Sequence, residues 1–302
     1  MSERIAIVGG GKIGEALLAG LIGAGKPTKD LVVAEKNAQR ASELAEEYGV
    51  LVTDIENAVE GAQYVFLAVK PDDIDQVLRA LASADDNAES ERVTVSLIAG
   101  LPLARYEKTL QAGSPVIRVM PNTPLLVNEA MSAVAAGRHV DDAQLAAVVE
   151  LLRTVGKVMV VPEKQMDAVT AVAGSGPAYV FLMAEAMIDA GVALGLTRAQ
   201  ASEMAVQTIR GAGILMSDSG LSPVDLRAAV TSPGGTTAAA IRELEAGGLR
   251  PAFYAATDAA ATVSRNTVSR SDQNAGTLGD RRAAGRVDVE GLGAGTGVRD
   301  TP

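Results

Sequence analysis

The chain of 302 residues has no cysteine and a single histidine. Without thiols, disulfides, thiolate metal sites and cysteine nucleophiles are excluded, and a reducing compartment fits the composition. The lone His139 stands between an apparent strand and "DDAQ", a loop setting that speaks against histidine-based acid–base catalysis. Positive charge is also in deficit: 27 Lys and Arg against 37 Asp and Glu leave a net charge of −10. Nucleic acid, which calls for clustered Lys and Arg, is therefore not an expected partner. No apolar run approaches the roughly 20 residues that span a bilayer. The opening "MSERIAIVGGG" enters a strand pattern at once and lacks the apolar segment of a signal peptide. The expectation is a cytoplasmic protein, without a membrane partner or a bound metal, that handles small molecules.

Hydrophobic residues make up 48% of the chain, enough for two folded domains at this length. The first half alternates β-rich runs with amphipathic segments. The strands read "RIAIV", "LVVA", "YVFLAV", "VTVSLIA", "PVIRVM", "MSAVAA" and "KVMVV", with helical patterns such as 12–25 and 71–81 between them. That alternation predicts an α/β fold built on a parallel sheet covered on both faces. After Val161 the strand signals stop, and long helical runs broken by Gly and Pro continue to about Ala261. Met183, Met187, Met204 and Met216 lie in helices apolar on more than one face, which predicts core filling and oligomerisation.

In "IAIVGGGKIGEALLAGLI", Gly9, Gly11 and Gly14 have G-x-G-x-x-G spacing directly after a strand and at the start of a helix, with Lys12 and Ile13 inside the motif. The context predicts a dinucleotide pyrophosphate at the helix N-terminus. Residues 1–161 are accordingly read as a Rossmann-like domain, 162–269 as an all-helical dimerisation and substrate domain, and 270–302 as a disordered Gly-rich tail. Glu35 follows the second strand, 21 residues beyond Gly14, where an acid bonds a ribose 2′-hydroxyl. Lys36 and Arg40 beside it are suited to a 2′-phosphate instead, so the local signal is mixed. Carboxyl ends of parallel strands supply the remaining cofactor candidates: Ala68, Val69, Lys70 and Pro71 of "LAVKP", Ala99 and Gly100 of "LIAG", and Asn122 and Thr123 of "MPNTP".

Two breaks interrupt the helical half. One is "AVAGSGPAY", with Gly174, Ser175, Gly176 and Pro177. The other is "VTSPGGTT", residues 230–237. The latter is either a corner with a threonine N-cap or a loop offering backbone N–H groups and two hydroxyls to a ligand.

"AVAGSGPAYVF" followed by "LRAAVTSPGGTTAAAIRELE" resembles the pyrroline-5-carboxylate reductase family, and "IVGGGKIGEALLAGL", "LAVKP" and "VMPNTP" fit it in the same order, over roughly residues 4–261. The resemblance implies NAD(P)H-dependent reduction of the cyclic imine 1-pyrroline-5-carboxylate to proline, with NADPH favoured and NADH usable. It also implies a homodimer with interwoven helical domains that assembles to a decamer. Thr237, with Thr236, is then expected to orient the imine, and the N–H groups of Gly234, Gly235 and Thr236 to receive the substrate carboxylate; Glu163 is implied near the substrate. Glu35 departs from the small or hydroxylated residue that many NADPH-preferring members carry. The alternatives are a related imine or β-hydroxyacid dehydrogenase of the same fold, or an NADPH-binding protein without turnover.

Overall fold

The computed structural model describes residues 3–85 and 92–283. Its strands are β1 (Ile5–Val8), β2 (Leu31–Ala34), β3 (Leu51–Thr53), β4 (Tyr64–Leu67), β5 (Val93–Ser96), β6 (Val116–Met120), β7 (Ala130–Ala136) and β8 (Gly156–Val160). They form one sheet in the order β3-β2-β1-β4-β5-β6-β7-β8. Side chains along each strand alternate between two cores. Ile5 and Ile7 point to the face covered by Leu17, Leu18 and Leu21 of the Lys12–Gly23 helix, together with Leu151 and Leu152 of the Asp142–Arg153 helix. Ala6 and Val8 point to the face covered by Leu78 and Leu81 of the Ile74–Asp85 helix and Tyr106 of the Leu103–Glu107 helix. Strands buried on both faces explain the continuous Val/Ile/Leu runs.

Three details differ from the sequence reading. The short strand β3 was not anticipated; it lies at the sheet margin, where Leu51 is exposed. β7 runs antiparallel to β6, because the link from Met120 to Ala130 is too short for a helical crossover. The helix expected over 71–81 begins as a 3-10 turn, Pro71–Asp73, and continues as Ile74–Asp85.

Beyond β8 the described chain is helical: Met166–Val169, a π-helical turn at Thr170–Gly174, then Gly176–Ala193, Arg198–Asp218, Pro223–Ala229, Thr236–Ala246 and Leu249–Ala283. Residues 270–283, expected in a disordered tail, instead extend the last helix, because adding residues to a nucleated helix costs far less than starting one. The rest of the expected tail, 284–302, lies outside the described residues. Contrary to the expectation of no spanning run, Glu163–Ala193 is long and apolar enough by length and composition to cross a bilayer. Within the chain this apolar surface is uncovered: no residue of the Gly176–Ala193 helix is buried, and Phe181 and Leu182 are 59% and 67% exposed.

Candidate active site

The sheet register sets the site. Val8 is level with Ala34 and Leu67, and Leu67 with Ser96, so the loops after β1, β2, β4 and β5 leave from one edge. β6 runs parallel to β5, which adds the Met120–Thr123 loop to that edge. Gly9, Glu35, Ala68, Lys70, Gly100 and Asn122 are thereby gathered, as the crevice rule for open α/β sheets requires.

The glycine turn fits a dinucleotide. Gly9 has φ +107°, and a Cβ there would lie 2.6 Å from the Ala68 carbonyl oxygen. A Cβ on Gly14 would collide with the Gly9 carbonyl, so only glycine lets the Lys12–Gly23 helix pack this closely on the turn. Gly11 differs, since nothing lies within 4 Å of the place its Cβ would take. It is also the helix N-cap and supplies no side-chain cap. Open space before uncapped N–H groups is what a pyrophosphate needs. Lys12 is exposed, and Ile13 is half-buried against the core.

At the end of β2, the Glu35 carboxylate accepts hydrogen bonds from the N–H groups of Gly10 and Asn37, each at 2.8 Å. Both cations that could take a 2′-phosphate are already paired. Lys36 reaches Asp73 at 2.7 Å. Arg40 pairs with Glu15 at 2.5 Å and Glu43 at 3.1 Å, and its Nε donates to the Gly10 carbonyl at 2.9 Å. Those contacts, the Glu15 hydrogen bond foremost, push the Arg40 guanidinium pKa further up and keep it charged. By contrast, the Lys70 ammonium is exposed and makes no ion pair among the described residues. Pro71 opens the 3-10 turn after it. Ala68 and Val69 are half-buried, and Ala99 and Thr123 are exposed. Gly100, with φ +77°, is buried beneath Thr267 of the last helix.

Two candidates turn out to tie the halves of the chain together. Asn122 donates from Nδ2 to the Ala173 carbonyl at 3.1 Å and accepts the Met131 N–H at 3.0 Å. Glu163 accepts the Leu103 N–H at 2.7 Å and pairs with Arg118 at 3.0 Å. Both contacts use one carboxylate oxygen, Oε1, and the Glu163 side chain stays 34% exposed. Arg118, 6% exposed in β6, was missed in the sequence, although a lone charge within "PVIRVM" was the available signal.

Segment 230–237 forms a tight turn ahead of a helix. Gly234 takes φ +71°, and Gly235, not a threonine, is the N-cap of the Thr236–Ala246 helix, without a side-chain cap. The threonine N-cap is therefore corrected: both threonines are already inside the helix. A Cβ on Gly235 would lie 2.5 Å from Ser232 Oγ. The first helical bond runs from the Ala239 N–H to the Gly235 carbonyl, which leaves the N–H groups of Thr236, Thr237 and Ala238 ahead of it. Thr236 is exposed and Thr237 half-buried. The hydrogen bonds of the segment are local, Thr231 to Arg227 and Gly235 to Ser232, so the Gly235 N–H expected for a substrate carboxylate is instead spent in closing the turn.

Residues 163–267 match the family model described as pyrroline-5-carboxylate reductase dimerisation, and residues 4–100 that described as NADP oxidoreductase, coenzyme F420-dependent. The chain is 50% identical over 277 residues to the pyrroline-5-carboxylate reductase of Mycobacterium tuberculosis, covering 85% of this chain and 94% of that one. The structure of a pyrroline-5-carboxylate reductase from Coxiella burnetii superposes with a TM-score of 0.84 at 35% identity, over 88% of this chain and 99% of that one. The Plasmodium falciparum pyrroline carboxylate reductase solved with NADP bound has a TM-score of 0.77 at 27% identity, over 88% and 98%.

Proposed function

The chain belongs to the pyrroline-5-carboxylate reductase family, and on that basis we propose that it reduces 1-pyrroline-5-carboxylate to L-proline, the last step of proline biosynthesis, with NADPH as the usual donor and NADH as a usable one. One observation carries this: 50% identity to a reductase over 85% of this chain and 94% of that one. When bound, the reduced nicotinamide supplies the hydride that adds to the C=N carbon, while the ring nitrogen holds a proton taken from water. The chain's own residues position and polarise. Gly9, Gly11 and Gly14, with Lys12 and Ile13, shape the pyrophosphate cradle, and Ala68–Pro71, Ala99, Gly100 and Thr123 line the rest of the edge. Lys36 lies at the ribose end, and Glu35 there offers a carboxylate that suits a 2′-hydroxyl better than a phosphate. The N–H groups of Gly234 and Thr236 suit the substrate carboxylate, that of Gly235 being already given to the Ser232 carbonyl, and the Thr237 hydroxyl, too weak an acid to protonate, orients the imine. No histidine is needed.

The exposed apolar helices support a homodimer, which we extend to a decamer, working in the cytoplasm. The test is loss of the near-ultraviolet absorbance of NADPH on addition of pyrroline-5-carboxylate, compared with 2-ketoacids and no substrate. Turnover of the imine alone is the expected result. Turnover of 2-ketoacids instead would point to the dehydrogenase alternative, and no turnover to a binding protein.

A further inference from the structure

Pro177 has no N–H, so the carbonyl four residues upstream, on Ala173, has no donor within its helix. The neighbouring donors are spent elsewhere: the Ala178 N–H goes to the Ser175 carbonyl at 3.0 Å, and the Ser175 N–H goes to Thr170 at 2.8 Å, closing the π-helical turn. A half-buried carbonyl left unpaired is costly. The donor comes from the other half of the chain, from Asn122 Nδ2 on the loop after β6. Asn122 Oδ1 is meanwhile held by the Met131 N–H at the start of β7. The same break rests on β6 itself, since a Cβ on Gly174 would come within 2.6 Å of Met120 Cε. One amide therefore joins the sheet edge to the helix break that roots the helical half. π turns recur at functional sites because they hold a local distortion that the surrounding structure must maintain.

We propose that Asn122 is a positioning residue for the reduction: by filling the carbonyl that Pro177 leaves open, it sets where the helical half sits over the cofactor edge. The kinetic part of this rests on the reductase reading above; the stability part does not. The test uses the full chain and four variants: Asn122→Ala, Asn122→Asp, Pro177→Ala, and Asn122→Ala with Pro177→Ala. The readouts are Tm, NADPH affinity by fluorescence, and kcat and KM for pyrroline-5-carboxylate. Asn122→Ala should lower Tm and reduce kcat by roughly 10- to 100-fold, as small misplacements do. NADPH affinity should stay within about twofold. In the double variant the N–H gained in place of the proline ring can close onto the Ala173 carbonyl, so Tm should recover in part, the Met131 N–H still lacking its acceptor, while kcat stays low.

Unchanged kcat in Asn122→Ala would overturn the proposal, leaving a structural role only. Recovery of kcat together with Tm would overturn it too. So would a fall in NADPH affinity that parallels kcat, which would mean a direct contact with the nicotinamide. Should Asn122→Ala not fold, Asn122→Asp decides: its kcat relative to wild type should rise as pH falls and the carboxyl group gains a proton to donate, and a flat ratio overturns the proposal. An unsubstituted chain that does not reduce the imine fails the reductase reading, whereas an active one with an indifferent Asn122 fails this one.

Discussion

Thr237 and Glu35 separate by what each can lose. Thr237 lies inside the Thr236–Ala246 helix, whose cap is Gly235, so Thr237→Ala removes no capping bond and Tm should barely move. If its hydroxyl orients the imine, kcat/KM falls roughly 10- to 1,000-fold, about 1.4–4 kcal/mol of transition-state stabilisation, at constant NADPH affinity. Wild-type turnover by a folded Thr237→Ala would remove that residue from the site. Gly235→Val should be worse in both folding and rate, because its Cβ would meet Ser232 Oγ. At Glu35 the quantity to measure is a ratio. The carboxylate is held at the end of β2 by two backbone N–H groups, amid paired cations. Glu35→Ser should raise kcat/KM for NADPH relative to NADH by roughly tenfold, about 1.4 kcal/mol. An unchanged ratio would mean that the carboxylate does not face the ribose.

Among the secondary-structure elements, the short Leu103–Glu107 helix is fastened to the sheet by a buried hydrogen bond between Tyr106 Oη and Ser96 Oγ of β5, at 2.5 Å. Burial pushes the Tyr106 phenol up from 10.0 to about 12, against the lowering effects of Ser96 and nearby Arg118. The folded chain thus keeps a proton that the unfolded chain releases near pH 10. The stabilisation is complete below pH 10 and disappears as pH rises to about 12, at most about 3 kcal/mol. Tyr106→Phe cannot ionise, so its Tm should fall less steeply than that of the wild type between pH 10 and 12. Parallel curves would show that this phenol does not govern alkaline unfolding. The same region carries the Arg118–Glu163 pair, so the helix, β6 and the domain junction form one connected support beneath the cofactor edge.

For the whole molecule, the imbalance between the halves is the main physical fact. The sheet half closes two cores of its own, whereas the Gly176–Ala193 helix buries nothing within the chain and Arg198–Asp218 buries only Ala201 and Ala205. Such helices are stable only when another surface covers them. A charge placed there should therefore act on assembly first. Phe181→Glu, at a position 59% exposed in the single chain, is expected to reduce the mass measured by light scattering and to abolish turnover, while NADPH binding persists. An unchanged mass with full activity would show that this face stays uncovered.

The alternation of strand and helix, the nucleotide turn and the two glycine breaks were all legible along the chain, because each rests on local terms: side-chain period, backbone freedom and missing N–H groups. The extension of the last helix through Ala283 was not legible, because a packed helix carries poor formers along with it. Neither was the direction of β7, which depends on the reach of a short connection. What individual polar side chains touch was decided by folding. Glu163 reads as an acid at a helix start, and Asn122 as a turn former or an amide for the cofactor. The fold gives each a partner remote in the chain, Arg118 and Leu103 for one, Ala173 and Met131 for the other. A hydrogen bond is worth most where burial leaves no water to replace it, and burial is a property of the folded arrangement, not of neighbours along the chain.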